Sequence, residues 1–315
     1  MKKIKKLILI TFLILLIAII SIGTFAGNLL YNIAIDSNFS KNTIYAEYVY
    51  KDTYSDKTWL LQRSNYTDEY INSFDNFKLH AYMIKQKKKT SKWVVIAHGY
   101  GEEGKLMSIN ALHFYSLGYN VLIPDLRGSG KSEGDYIGMG WYDRLDICDW
   151  IDRIVDDDPN SKIALFGISM GGSTILMSSG EDLPSNVKCI ISDCAYTSAY
   201  DVFGYELNTY LNTPSFPVVD FTNLVTILRA GYSLKDASAI EQVKKSKTPT
   251  LFIHGDSDKI VPSYMMDELY DAATCEKEKL LVKDGEHAGS DLADFNAYWS
   301  SIKSFLHEYI EKESR

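Results

Sequence analysis

The hydrophobic pattern of this chain divides it into three parts. Leu7 to Phe25 is a stretch of nineteen residues without a charge, rich in Leu and Ile all the way round a helix. At about 1.5 Å per residue such a helix spans roughly 30 Å, the depth of a bilayer core. A helix packed on a soluble core would instead carry a one-sided apolar stripe. The pattern predicts a transmembrane segment, with residues 1–35 as the anchor. Residues 36–66 are polar and rich in Tyr, Asn and Lys. They predict a stalk and lead-in, with a short helix near Trp59-Leu60-Leu61.

A different rhythm occupies residues 67–315. Glu69–Phe74 and Phe77–Ile84 are strand-like runs flanking Asp75-Asn76, a turn signal, and predict a β-hairpin. Beyond it come short Val- and Ile-rich runs at Trp93–Ala97, Val121–Pro124, Lys162–Phe166, Cys189–Ser192, Thr250–Ile253 and Lys279–Val282. Helical patterns separate them at Gly104–Leu117, Trp141–Val155, Met170–Ser179 and Tyr264–Ala273, and a last one closes the chain near Asp294–Glu311. Strands that are apolar throughout, alternating with helices, define an α/β chain whose parallel sheet is covered on both faces. Residues 195–245 are too many for a plain crossover and predict an inserted cap. Its aromatic residues (Tyr196, Tyr200, Phe203, Tyr205, Tyr210, Phe216 and Phe221) would line an acyl pocket or pack the cap itself.

Charge sets the orientation and narrows the partners. Lys2, Lys3, Lys5 and Lys6 precede the apolar stretch, and no acidic residue occurs before Asp36. Lysines in that place stay in the cytoplasm, which sends the rest of the chain to the extracytoplasmic side of the cell membrane. Thr24-Phe25-Ala26 loosely resembles a signal-peptide cleavage site, so secretion after cleavage is the alternative; nineteen residues exceed the usual apolar core of about 7–15. Setting the four lysines aside leaves 29 of 33 basic residues against 41 acidic ones, a net charge of about −12. A body so acidic repels phosphate backbones and argues against nucleic acid as a partner. The four cysteines match no zinc spacing and are too few for a disulfide framework, so no metal is expected.

The candidate chemistry lies at the ends of the strand runs. Gly167-Ile168-Ser169-Met170-Gly171 follows directly on one run and opens a helical pattern. At such a junction a nucleophile sits on a sharp turn, and flanking glycines leave room for neighbouring backbone. Ser169 is the candidate nucleophile, and a serine hydroxyl needs a base. Of six histidines, His287 falls in a loop just after the last strand run, where it could reach Ser169. An acidic residue must then orient the imidazole. His254-Gly255-Asp256-Ser257-Asp258 offers two; Asp258 is favoured over Asp256 because the loop needs a few residues to turn back, and Asp193 is a third option. Two backbone N–H groups should receive a developing oxyanion. Met170 supplies one by position, and Tyr100, in His98-Gly99-Tyr100-Gly101, is the choice for the other. Gly128-Ser129-Gly130-Lys131-Ser132 imitates the end of a phosphate-binding loop, but Asp125 stands where that motif needs glycine.

Taken together, the His98–Gly101 and Asp125–Ser132 segments, Gly167–Gly171, the Asp258 loop and His287 resemble the α/β-hydrolase superfamily, most closely membrane-anchored bacterial hydrolases of the Bem46-like and serine-aminopeptidase-like group. The resemblance covers roughly residues 67–312. It implies an eight-stranded, mostly parallel sheet, a Ser169–Asp258–His287 triad, Tyr100 and Met170 at the oxyanion positions, and no cofactor. The leading expectation is a carboxylesterase-like serine hydrolase acting on a small-molecule ester. A peptidase or amidase with the same triad, or a non-catalytic surface protein retaining the fold, are the alternatives.

Overall fold

The computed structural model describes residues 2–40 and 58–312; residues 41–57 of the expected stalk lie outside them. Eight strands form one sheet: β1 (Thr67–Asn72), β2 (Lys78–Ile84), β3 (Lys92–Ala97), β4 (Asn120–Pro124), β5 (Lys162–Ile168), β6 (Val187–Asp193), β7 (Thr250–Gly255) and β8 (Lys277–Val282). Their spatial order is β1-β2-β4-β3-β5-β6-β7-β8. β2 runs antiparallel to both its neighbours, and the pairs from β4 through β8 are all parallel. The longer helices are α1 (Lys2–Ala34), α2 (Ser108–Ser116), α3 (Asp143–Asp157), α4 (Met170–Ser178), α5 (Ala199–Leu211), α6 (Ser215–Ala230), α7 (Tyr264–Ala272) and α8 (Phe295–Leu306).

Alternation along the strands splits the core in two, since successive side chains point to opposite faces. Trp93, Val95 and Ala97 of β3 join Ile147, Ile175 and Leu269 from α3, α4 and α7 on one face. Val94 and Ile96 join Phe114, Tyr298 and Ile302 from α2 and α8 on the other, where Leu60 of the short helix Thr58–Arg63 is also buried. The first hairpin has a longer turn than the sequence predicts, residues 73–77 in place of Asp75-Asn76 alone. β1 ends at Asn72 because Ser73 starts the turn: its hydroxyl accepts the N–H of Phe77 at 2.9 Å, and Asn76 adopts φ 68°.

α1 is longer than its apolar stretch. Its first two-thirds are exposed, while Tyr31 and Ala34, with the following Ile35, are buried in the first core. Gly23 lies against the ring of Phe221 and Gly27 against the Phe221–Thr222 backbone of α6, so neither position has room for a side chain. Residues 23–35 thus belong structurally to the folded body, not to a free tether. Between β6 and β7 the chain forms α5, α6 and the short helix Ala239–Val243.

Candidate active site

Parallel strands deliver their following loops to one edge of the sheet, and the candidate residues come from three of these loops. Ser169 lies between β5 and α4 with φ 56° and ψ −120°, a conformation costly for any residue but glycine. The glycines around it hold the turn. A Cβ on Gly167 would strike the backbone of Gly171 and Gly172, and one on Gly171 would strike the carbonyls of Ala97 and His98. The start of α4 therefore packs directly on the end of β3. The turn after β3 also lies close to the nucleophile turn, since a Cβ on Gly99 would stand 3.7 Å from that of Ser169.

The structure brings Ser169, His287 and Asp258 into one hydrogen-bonded line. His287 Nε2 is 2.9 Å from Ser169 Oγ, and its Nδ1 is 2.7 Å from Asp258 Oδ2. An ionised carboxylate only accepts, so Nδ1 carries the proton and Nε2 is left to accept from the serine hydroxyl. The second Asp258 oxygen accepts the N–H groups of Ile260 and Val261, each at 2.9 Å. Asp256 turns elsewhere; its Oδ1 accepts the N–H of Asp284 at 2.7 Å. Asp193 lies deeper, accepting from the hydroxyls of Tyr298 at 3.0 Å and Ser290 at 3.3 Å. Burial pushes its carboxyl up to about 6.

Electrostatics separates the carboxyls further. Burial by itself would raise Asp258, but the hydrogen bonds and charges of His254 and His287 hold it well below the ordinary carboxylate range. His254 is a neighbour the sequence did not mark. Its Nε2 lies 2.8 Å from the carbonyl of Val261 and 3.2 Å from Asp258 Oδ2, so it braces the loop presenting Asp258. Glu102 was missed as well. Its carboxylate accepts the N–H of Gly99 at 2.9 Å, and the Glu102 N–H returns a bond to the Gly99 carbonyl at 3.3 Å. This reciprocal turn shapes the loop of Tyr100, whose hydroxyl donates to the carbonyl of Ala34 at 2.9 Å.

The remaining motifs have structural partners. In the phosphate-loop imitation, the N–H of Lys131 donates to Asp125 Oδ2 at 2.9 Å, and Lys131 Nζ pairs with Asp68 at 2.6 Å. The chain's own carboxylate sits where such a loop would hold phosphate. Arg127, fully buried, forks onto Asp146 with bonds of 2.6 and 2.8 Å and reaches Asp75 at 2.6 Å. The cap aromatics scatter. Tyr196 and Phe203 are buried, Tyr200 and Tyr205 line a cavity of about 500 Å³ with Tyr264 and Met265, and Phe216 is exposed. Neither Ser169 nor His287 lines that cavity.

Comparisons with known proteins agree with this architecture. A family model for the alpha/beta hydrolase fold matches residues 92–214, and a serine hydrolase (FSH1) model matches residues 205–289. The uncharacterised protein YqkD of Bacillus subtilis is 29% identical over 220 residues, covering 69% of this chain and 72% of that one. An uncharacterised membrane protein of Saccharomyces cerevisiae is 28% identical over 239 residues, covering 74% and 77%. The structure of the Pyrococcus furiosus esterase Pf2001 superposes with a TM-score of 0.63 at 22% identity, covering 78% of this chain and 93% of that chain; it speaks for the fold alone. The chain belongs to the α/β-hydrolase superfamily, and the family matches support a hydrolase as its class of chemistry.

Proposed function

We propose that the protein is a membrane-anchored serine hydrolase that cleaves a carboxylic ester on the extracytoplasmic side. The observation that carries this reading is the imidazole of His287, bonded on one side to Ser169 Oγ at 2.9 Å and on the other to Asp258 at 2.7 Å. Ser169 Oγ attacks the ester carbonyl as its proton passes to His287 Nε2. The Asp258 carboxylate holds the ring in the reactive tautomer and offsets the positive charge it acquires. The N–H groups of Met170 and Tyr100 receive the oxyanion. His287 then returns the proton to the departing alkoxide, leaving an acyl-serine. Water, deprotonated by the same imidazole, releases the acid and restores Ser169.

The anchor reading draws on α1. It is the one candidate span among the described residues, and it runs unbroken through Thr24-Phe25-Ala26 with packed glycines on both sides of that site. The test is labelling of the full chain, in detergent, by a fluorophosphonate probe. The wild type should label, while Ser169→Ala and His287→Ala should not. Normal labelling of the His287 variant would remove this assignment of the base.

A further inference from the structure

We infer that the hairpin formed by α5 and α6 dips its tip into the bilayer beside α1, so that the enzyme takes an amphiphilic ester held in the membrane. The inference rests on the proposed reading of α1 as a span and extends it to the cap. Its first support is the register between the two helices. Gly23 meets Phe221, Gly27 meets Phe221 and Thr222, Asn28 and Asn32 accept bonds from Arg229, and Asp36 pairs with Arg229 at 3.1 Å. Residue numbers rise together along the contact, so α6 runs beside α1 in the same direction. At about 1.5 Å per residue, the helical run down to Pro217 reaches five residues below Thr222, near the level of Ile22 and inside the uncharged stretch of α1; Phe216, where the chain leaves the helix (φ −82°, ψ 133°), adjoins that end.

The chemistry of the tip fits that depth. From Leu207 to Val219 there is no charged residue, in a body that is otherwise strongly acidic. Leu211 is 66% exposed and Phe216 74%, beside Ile22 at 70% and Phe25 at 73% on α1. Leu224 and Leu228, one turn apart on α6, extend the exposed apolar surface beyond Asp220, whose charge is met by Lys235 at 2.9 Å and the Tyr200 hydroxyl at 3.0 Å. An exposed apolar surface of this kind marks an interface. Its continuity with the apolar span identifies the occupant as lipid, in preference to a second copy or a protein partner. Backbone groups in such surroundings need partners of their own. The turn supplies them, since the N–H groups of Asn212 and Thr213 both donate to the carbonyl of Leu207. That surface ends where Arg229 joins Asn28, Asn32 and Asp36, a polar cluster suited to the headgroup level.

The same register places the chemistry near the membrane surface. Tyr100 bonds the carbonyl of Ala34, nine residues beyond Phe25 and so roughly 14 Å past the apolar end of the span. An ester with its chain in the bilayer and its carbonyl raised to the headgroups is the substrate class that meets the site there.

Tryptophan placed singly at positions 25, 216 and 278 of the full chain, reconstituted in phosphatidylcholine vesicles with brominated acyl chains, tests the placement. The parent protein gives the background from its native tryptophans. Phe25→Trp is the bilayer standard, and Glu278→Trp, exposed near the start of the edge strand β8, is the water standard. The Phe216→Trp emission should be quenched like that of Phe25→Trp. Quenching no stronger than that of Glu278→Trp, with Phe25→Trp still quenched, overturns the inference and leaves the anchor standing. An unquenched Phe25→Trp overturns the anchor and the inference with it. A Leu211→Glu/Phe216→Glu variant should keep its turnover of a water-soluble short-chain ester in detergent. It should lose about tenfold or more on a long-chain ester embedded in vesicles. Equal effects on the two substrates overturn the substrate class.

Discussion

The hydroxyl of Tyr100 donates to the main-chain carbonyl of Ala34, so the last turn of α1 is fastened to the loop beside Ser169. A carbonyl at a helix end lacks an intrahelical partner, and Tyr100 supplies one. Tyr100→Phe keeps the ring and removes this bond. A neutral hydrogen bond contributes about 0.5–1.5 kcal/mol to stability, so the variant should lose about that much in chemical denaturation, and kcat on a soluble ester should fall if the fastening holds the Tyr100 loop in place. An unchanged kcat would show that the fastening does not reach the oxyanion site.

Asp258 and Asp256 lie two residues apart and should differ sharply in effect. Asp258→Asn keeps the shape but offers Nδ1 of His287 an amide in place of a carboxylate, so the wrong tautomer gains ground. A loss of about 10⁴ in kcat is expected, as for the corresponding change in other triads. Asp256→Asn, at a side chain whose described bonds are to Ser257 and Asp284, should leave kcat within about twofold. Steady-state kinetics of the two variants separates the assignments.

Glu102 should matter through its acceptor and not through its charge. Glu102→Ala frees the Gly99 N–H and loosens the Tyr100 turn, and kcat should drop by about tenfold with KM nearly unchanged. Glu102→Gln retains an oxygen that can accept the same bond and should recover most of the loss. Equal losses in both variants would trace the effect to charge.

Stability should respond to pH through Asp193. Burial raises its folded pKa to about 6, above the unfolded carboxylate value of about 3.9. Between those values the folded state binds more protons than the unfolded one, so this group's contribution to stability falls as pH rises through the window. Asp258 has the opposite sign. Its folded pKa is depressed, so its contribution is present above the unfolded value and is lost only in stronger acid. Melting temperatures of wild type and Asp193→Asn from pH 4 to 7 should converge toward the acid end. A constant difference across the range would show that Asp193 does not titrate there.

Arg127 should prove a stability residue. It is buried, and it neutralises Asp146, whose carboxyl burial raises to about 7 against the pull of the guanidinium. Arg127→Ala leaves buried acids without a counter-ion, at a cost of about 3–5 kcal/mol in chemical denaturation. Arg127→Lys cannot reproduce the fork and should lose much of the same stability.

Much of the sheet was readable because its strands are buried on both faces, so each announces itself as an apolar run without needing a partner to explain it. The edge strands β1 and β8 were the exceptions, both largely exposed, and the end of β1 was set by a Ser73 side-chain bond that leaves no mark in hydropathy. At the site, Ser169 and His287 stood out because strand-end position and local glycines are sequence properties. The choice among acids was harder. Asp256 and Asp258 differ only in which one the Ile260 and Val261 N–H groups catch as the loop turns. His254, Glu102 and the docking of α1 on α6 depend on contacts that no local pattern records. The Gly23 and Gly27 packing could have been suspected from glycines four apart in an apolar helix, a spacing that allows close backbone approach.

On the proposed reading of α1 as an anchor, the burial of Tyr31, Ala34 and Ile35 bears on how the protein could be released. A protease that severed the chain after Ile35 would carry off side chains that fill the interior, together with the carbonyl that Tyr100 grips. The shed fragment would be less robust than the intact molecule and would have lost a brace beside Ser169. Under that reading, release by clipping at that point would act as inactivation, with full potency kept by the uncut chain.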